Sequence, residues 1–156
     1  MVKSFQGVQM AKPEVLTNQP ISVSDYMSSR LITFHPDQSI SEVVETLLKK
    51  RISGAPVVND RKELVGVISE GDCLKEIVKG KYLNYPMLDG TVKDHMAKNV
   101  KYIMPDVSIF EAAKMFLNLK IRRFPVLDTN MKLIGQISQK DIMRAVNSIK
   151  SENWHQ

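Results

Sequence analysis

Two stretches of this chain carry the same chemical groups at the same spacing: Gly66-Val67-Ile68-Ser69-Glu70-Gly71-Asp72 and Gly135-Gln136-Ile137-Ser138-Gln139-Lys140-Asp141. Each is a β-prone run ending in a serine, with an aspartate three residues on. If a strand turns into a helix at that serine, free backbone N–H groups and the positive end of the helix dipole meet there, and both favour phosphate oxygens. A carboxylate only accepts hydrogen bonds, which suits the paired hydroxyls of a ribose. A nucleotide would use both. Ser-x-x-Asp is also a capping box, with serine at the N-cap and aspartate at N3, and for a single copy capping alone is the better reading. Two copies in register, each after a glycine-containing strand, favour a binding site.

The two motifs lie 69 residues apart, and the same offset relates Pro36 to Pro105, Pro56 to Pro125, Asp25 to Asp94, Met27 to Met96 and Ser39 to Ser108. A repeat of this kind fixes the architecture before any local reading does. In the first copy Ser39 and Glu42 form a capping box, and Ile40, Val43, Val44, Leu47 and Leu48 recur at helical spacing. In the second, Ser108 and Glu111 form the box, and Ile109, Ala112, Ala113, Phe116 and Leu117 form the stripe. A strand opened by Pro56 or Pro125 follows, then a polar turn and a second strand. A final helix shows Leu74, Ile77 and Val78 in one copy, and Ile142, Ala145, Val146 and Ile149 in the other. The expected fold class is mixed α/β, with two units each in the order β-α-β-β-α. The expected boundaries are an extension over 1–22, units over 23–80 and 92–150, a linker over 81–91 and a tail over 151–156. The linker, with Tyr82, Leu83, Tyr85, Pro86, Met87 and Leu88, is apolar enough to pack over the joint between the units.

A chain of 156 residues supports one core or two small subdomains that depend on each other. It is 43% hydrophobic and 25% charged, ordinary for a globular protein, and its apolar runs end well short of the roughly 20 residues a membrane span needs. Residues 1–12 lack a continuous apolar stretch, which argues against a secretory signal. The single cysteine, Cys73, forms no internal disulfide, and no Cys/His spacing suggests a metal. A cytoplasmic setting is expected. The net charge of +5 is dispersed and lacks the aromatic interleaving that stacks bases, so a small anionic ligand is a better match than nucleic acid. No serine or cysteine has the base and orienting group of a catalytic nucleophile, and no enzymatic activity is expected.

Taken together, the Asp-x-Met start, the Pro-Asp-x-Ser-Ile helix start, the Pro-Val strand and the Gly-x-Ile-Ser-x-x-Asp ending resemble the CBS domain, here as the tandem pair called a Bateman module. The resemblance spans about residues 23–149. It implies a pseudo-twofold pair enclosing two clefts, adenosine-containing ligands such as AMP, ADP or ATP, no required cofactor, a homodimer of modules, and signalling to an unidentified regulated protein. Each cleft would take its Ser/Asp motif from one copy and its lead-in strand from the other. One nucleotide site would comprise Ile32, Thr33, Pro36, Arg122, Arg123, Phe124, Pro125, Ile137, Ser138 and Asp141. The second would comprise Ser53, Ala55, Pro56, Ile68, Ser69, Asp72, Lys101 and Tyr102. Related modules often hold phosphates with basic residues just before the Pro-Val strand. Arg122 and Arg123 stand there in the second copy, where the first has Ser53 and Gly54, so the Ser138/Asp141 cleft is expected to dominate. His35 is a further candidate for a phosphate, and Met115, Leu119 and Met143 are apolar positions free to serve association. The alternatives are a ligand-free interaction or oligomerisation scaffold, which two intact motifs argue against, and a basic nucleic-acid-binding module.

Overall fold

The computed structural model describes residues 21–84 and 88–154. Most of the extension, the linker residues Tyr85, Pro86 and Met87, and His155 lie outside the described residues. The first repeat contains α1 (Val23–Tyr26), α2 (Ile40–Lys50), β1 (Gly54–Val58), β2 (Leu64–Ser69) and α3 (Glu70–Leu83). The second contains α4 (Val92–His95), α5 (Ile109–Leu119), β3 (Arg123–Leu127), β4 (Leu133–Ser138) and α6 (Gln139–Trp154). Strands β1 and β2 pair antiparallel with Gly54 opposite Ser69, and β3 and β4 pair likewise with Arg123 opposite Ser138.

The expected lead-in strands shrink to one parallel bridge each, Phe34 with Val57 and Ile103 with Val126. Pro36 and Pro105 follow two residues later and have no N–H to continue a ladder, so the chain leaves the sheet and turns into the next helix. At the start of α2, Ser39 Oγ accepts from Glu42 N at 3.1 Å, and the Glu42 carboxylate accepts from Ser39 N at 3.3 Å. Hydrogen bonds to that carboxylate, first from the Ser39 backbone and then from the Gln38 and Ser39 side chains, hold Glu42 below its ordinary range. At α5 only half of the expected box forms. Ser108 accepts from Glu111 N at 3.1 Å, while Glu111 turns to Lys114 at 3.6 Å.

The buried faces are Ile40, Val43 and Leu47 on α2, and Ile109, Ala112 and Phe116 on α5. Leu48 and Leu117, expected on those stripes, are 74% and 77% exposed. On α3 the inward residues are Cys73, Glu76 and Gly80, whereas Leu74 and Val78 face outward. On α6 Ile142 and Ala145 are buried and Val146 is exposed. Each cap fixes the rotation of its helix, and the fourth helical position, Cys73 or Ile142, is the first to reach the core.

Each core takes a residue from the other repeat. Val92 of α4 sits among Phe34, Ile40, Val43, Leu47, Val57 and Ile68, and Val23 of α1 among Ile103, Ile109, Phe116, Phe124, Val126 and Ile137. Backbone bonds hold these short helices in place, from Val92 N to Gln38 O at 2.9 Å and from Val23 N to Val107 O at 2.8 Å. Just beyond them Ala97 pairs with Val67 on β2, and Ser28 with Gln136 on β4. The glycines of the repeated motif allow this approach. A Cβ on Gly66 would lie 2.5 Å from Met96 Sδ and 2.9 Å from Ala97 O, and one on Gly135 would lie 2.5 Å from Met27 Sδ. The Asp-x-Met start and the Gly-x-Ile-Ser ending therefore form a complementary pair across the joint.

Candidate functional site

The exchanged segments wall two cavities related by the repeat. The larger, about 350 Å³, is lined from the first repeat by Ser53, Gly54, Ala55, Pro56, Val67 and Ser69, and from the second by Ala97, Asn99, Val100, Lys101, Ile121, Arg123, Pro125 and Gln136. The smaller, about 150 Å³, is lined by Ser28, Arg30, Leu31, Ile32, Ile52, Gly54, Ala55 and Pro56 with Arg123 and Gln136. Ala97, Asn99, Val100 and Lys101 are the repeat counterparts of Ser28, Arg30, Leu31 and Ile32. The strand-opening residues Gly54 and Arg123 line both cavities. The larger one is mostly apolar, and its two charged lining residues, Lys101 and Arg123, are both cations. Among the described residues neither makes an ion pair. An apolar slot with unpaired cations at its rim can hold a flat apolar ring and an anionic group together.

Ser53, Ala55, Pro56, Ser69 and Lys101 thus come together as one group. Tyr102 lies outside that wall and Ile68 is fully buried in the core, so neither lines the cavity. Asp72 does not line the cavity: its Oδ2 accepts from Ser69 Oγ at 3.0 Å and from Ser69 N at 2.9 Å, and it lines a separate hollow with Leu74, Lys75, Val78, Lys79, Asp94 and His95. The other predicted group is more dispersed. Ile32 and Arg123 line the smaller cavity, whereas Thr33 lines a separate hollow with Ser29, Leu31, Val58, Lys62, Leu133 and Ile134. Pro36 lies at the turn, its carbonyl accepting from Lys93 N at 2.9 Å. Arg122 is exposed and its carbonyl accepts from Gln139 N at 3.2 Å. Phe124 and Ile137 are core residues, and Pro125 lines the larger cavity, not the smaller.

Ser138 and Asp141 make the same capping pair as their counterparts, with Asp141 Oδ2 accepting from Ser138 N at 2.8 Å and from Ser138 Oγ at 2.9 Å. Asp141 Oδ1 is in addition bonded to Arg144 Nη2. Asp141 is buried, and neither it nor Ser138 lines the smaller cavity.

His35 lines neither cavity; its Nε2 is 3.0 Å from Asp60 Oδ1 and its Nδ1 accepts from Asp37 N at 3.1 Å. Burial, and then the charges of Asp72 and Glu70, push the Cys73 thiol above its ordinary pKa. That opposes the thiolate an oxidant sensor would need. Among the described residues no three His, Cys, Asp or Glu gather as a metal site, and no helix is long and apolar enough to cross a membrane.

The sequence reading set the facing walls at residues 101–105 and 32–36 and did not name Ala97, Asn99 and Val100, or Ser28, Arg30 and Leu31, which line these cavities. The glycine inside each motif strand was the available signal, since it marks where another backbone comes close.

A family model described as CBS domain matches residues 23–79 and again 92–148. The CBS domain-containing protein CBSX2, chloroplastic, of Arabidopsis thaliana is 30% identical over 86% of this chain and 67% of its own length. The MJ1232 protein of Methanocaldococcus jannaschii is 33% identical over 86% of the chain, which spans only 43% of that protein. Among solved structures, CBSX2 in complex with AMP superposes with a TM-score of 0.70 at 32% identity, covering 83% of this chain and 98% of that one. The CBS domain pair of MJ0100 in complex with 5′-methylthioadenosine and S-adenosyl-L-methionine superposes at 0.65 and 28% identity, covering 83% and 98%. With the family model matched twice and the fold shared with solved CBS pairs, the chain belongs to the CBS-domain family as a tandem pair of CBS domains.

Proposed function

We propose that this CBS pair is a regulatory sensor without catalytic activity, which binds an adenosine-containing ligand between its repeats and transmits the bound state to a partner protein. The observation that carries the reading is the 350 Å³ cavity, largely apolar and lined by Lys101 and Arg123, with no acidic side chain lining it among the described residues. AMP in the CBSX2 complex, and 5′-methylthioadenosine and S-adenosyl-L-methionine in the MJ0100 complex, support the adenosyl class.

A thermal-shift panel of AMP, ADP, ATP, S-adenosylmethionine and adenosine tests the reading, because a ligand that binds only the folded state raises the melting temperature. At least one adenosyl compound is expected to raise it. The Arg123→Ala variant is expected to lose about 1.5–3 kcal/mol of binding for AMP and little for adenosine, since the contact removed is a charge-assisted bond to phosphate. No shift with any member of the panel sinks the ligand reading.

Association of two modules fits the exposed apolar residues. Leu48 and Leu117 occupy equivalent positions on α2 and α5, and Leu74 and Met143, 59% and 63% exposed, on α3 and α6. Of the other positions expected to be free, Leu119 is exposed, whereas Met115 packs against the second core. Sedimentation is expected to give twice the 17.7 kDa chain mass, and Leu48→Lys with Leu117→Lys to return a single chain. A monomer at micromolar concentration, with and without AMP, refutes the dimer.

A further inference from the structure

We propose that Glu76 and His95 form a buried, proton-dependent latch between α3 and α4, which ties two walls of the larger cavity together while the pair holds a proton and loosens them when that proton is lost. The latch itself needs no ligand, whereas its effect on the cleft rests on the nucleotide reading above. The Glu76 side chain is 3% exposed and that of His95 18%, with Glu76 Oε2 3.1 Å from His95 Nε2. That is an ion-pair distance, yet Oε2 has no hydrogen-bond partner among the described residues. What His95 offers the carboxylate is therefore charge, and an imidazole carries charge only when protonated. Two groups in such contact act as one unit, which holds a proton whichever atom carries it. With the proton, the charges cancel. Without it, a carboxylate stands buried and uncompensated.

The fold does not require this pair. The repeat offset equates Glu76 with Ala145 and His95 with Tyr26, and there Ala145 is fully buried in the second core with Tyr26 packed against it. Neighbouring charges do not replace either partner. The hollow beside His95 is lined by Asp72, Lys75 and Lys79 of α3 and by Asp94 of α4, two carboxylates against two ammonium groups. Asp72 Oδ2 is taken by Ser69, and Asp94 Oδ2 by Thr91 Oγ1 at 3.0 Å. The charged residues of α2, Glu42, Glu45, Lys49 and Lys50, are exposed, as is Asp89 at the end of the linker, and β2 carries no titratable side chain. Among the described residues Glu76 is the one carboxylate at ion-pair distance from His95. Gly90 closes the remaining side at φ 109°, where a Cβ would lie 2.9 Å from His95 Nε2. The position of the latch gives it reach. Helix α3 follows directly on Ser69, and α4 runs on into Ala97, Asn99, Val100 and Lys101, all of which line the larger cavity.

Urea denaturation of the full chain between about pH 6 and pH 9, a range that spans ordinary imidazole ionisation, tests the latch. The reference is Glu76→Ala combined with His95→Tyr, which transplants the second repeat's own apolar pair, and Glu76→Gln is a second reference that keeps the side-chain shape. An imidazole in an unfolded chain releases its proton near about pH 6.5. Below that pH both states hold the proton and the contribution of the latch is full; above it only the folded pair does, and stability falls by up to about tenfold in the folding constant per pH unit. Wild type is expected to lose about tenfold or more relative to either reference across the range. His95→Gln is expected to be less stable than Glu76→Gln, because it leaves the carboxylate buried alone. AMP affinity of wild type is expected to fall about fivefold relative to the double variant over the same range, the ionisation of AMP itself being common to both. A stability difference that does not change with pH, or equal losses in the two single variants, overturns the latch. A stability change with no change in relative AMP affinity overturns its regulation of the cleft. AMP that binds neither protein at any pH overturns the nucleotide reading, and the denaturation series still decides the latch.

Discussion

Phe124→Ala is expected to remove about 3–5 kcal/mol of folding stability, the range for deleting a buried aromatic side chain. Phe124 is fully buried in β3, opposite Ile137, with its ring centroid 4.7 Å from that of Phe116 and the rings tilted at 46°. Domains of this size have only about 5–15 kcal/mol in total, so the change is a large fraction of the whole. Its reach should exceed its own repeat. Val23, which belongs to the first repeat, completes the Phe124 core, and Val92 of the second completes the core around Phe34 and Ile40. Neither repeat can open without withdrawing a fully buried valine from the other. Hydrogen exchange checks this: protection of Val58 N in β1 and Leu127 N in β3 is expected to fall together in Phe124→Ala. If only Leu127 loses protection, the two units open independently and the exchanged helices do not couple them.

Elements with a period were legible in the sequence. The 69-residue repeat, the capped helices α2 and α5, the two hairpins and the serine turns into α3 and α6 all announce themselves by spacing or cap chemistry. The four-residue helices α1 and α4 do not, because one turn gives no periodicity to detect. Their exchange between the repeats was therefore invisible, and with it the residues just beyond them that line the cavities. Ser69, Ser53, Ala55 and Pro56 line the larger cavity because they lie on or beside the hairpin, whose register follows from the turn. Thr33 and Tyr102 do not line these two cavities because the segment expected as a strand running into Pro36 or Pro105 presents its cavity-lining residues further upstream, at Ser28, Arg30, Leu31 and Ile32 and at Ala97, Asn99, Val100 and Lys101. Glu76 shows a different limit. It is 3% exposed, 3.1 Å from His95 Nε2, in a helix whose apolar residues Leu74 and Val78 face outward. A stripe drawn from hydrophobicity alone assigns that face the wrong way round.

Gly66→Ala is expected to destabilise the fold by about 1–3 kcal/mol, the usual cost of forcing an extra carbon into a packed joint. Met96 Sδ, at 2.5 Å from the new Cβ, ends a flexible side chain and can move. Ala97 O, at 2.9 Å, is backbone and is held by its bond from Val67 N at 3.0 Å, so relief requires the whole 96–97 segment to back away from β2. That segment joins the α4 plug to the wall of the larger cavity, and the same displacement should therefore lower AMP affinity even though residue 66 does not line the cavity. Gly71→Ala is the control. Its Cβ would meet only Ser69 Oγ at 3.7 Å, and within α3 the exchange of glycine for alanine is expected to stabilise by about 0.5–1 kcal/mol. Urea denaturation of the two variants, read with AMP titration, separates the effects. A Gly66→Ala protein as stable as wild type would show that the short helices do not press on β2, and that the glycine of the repeated motif serves the turn into α3 instead.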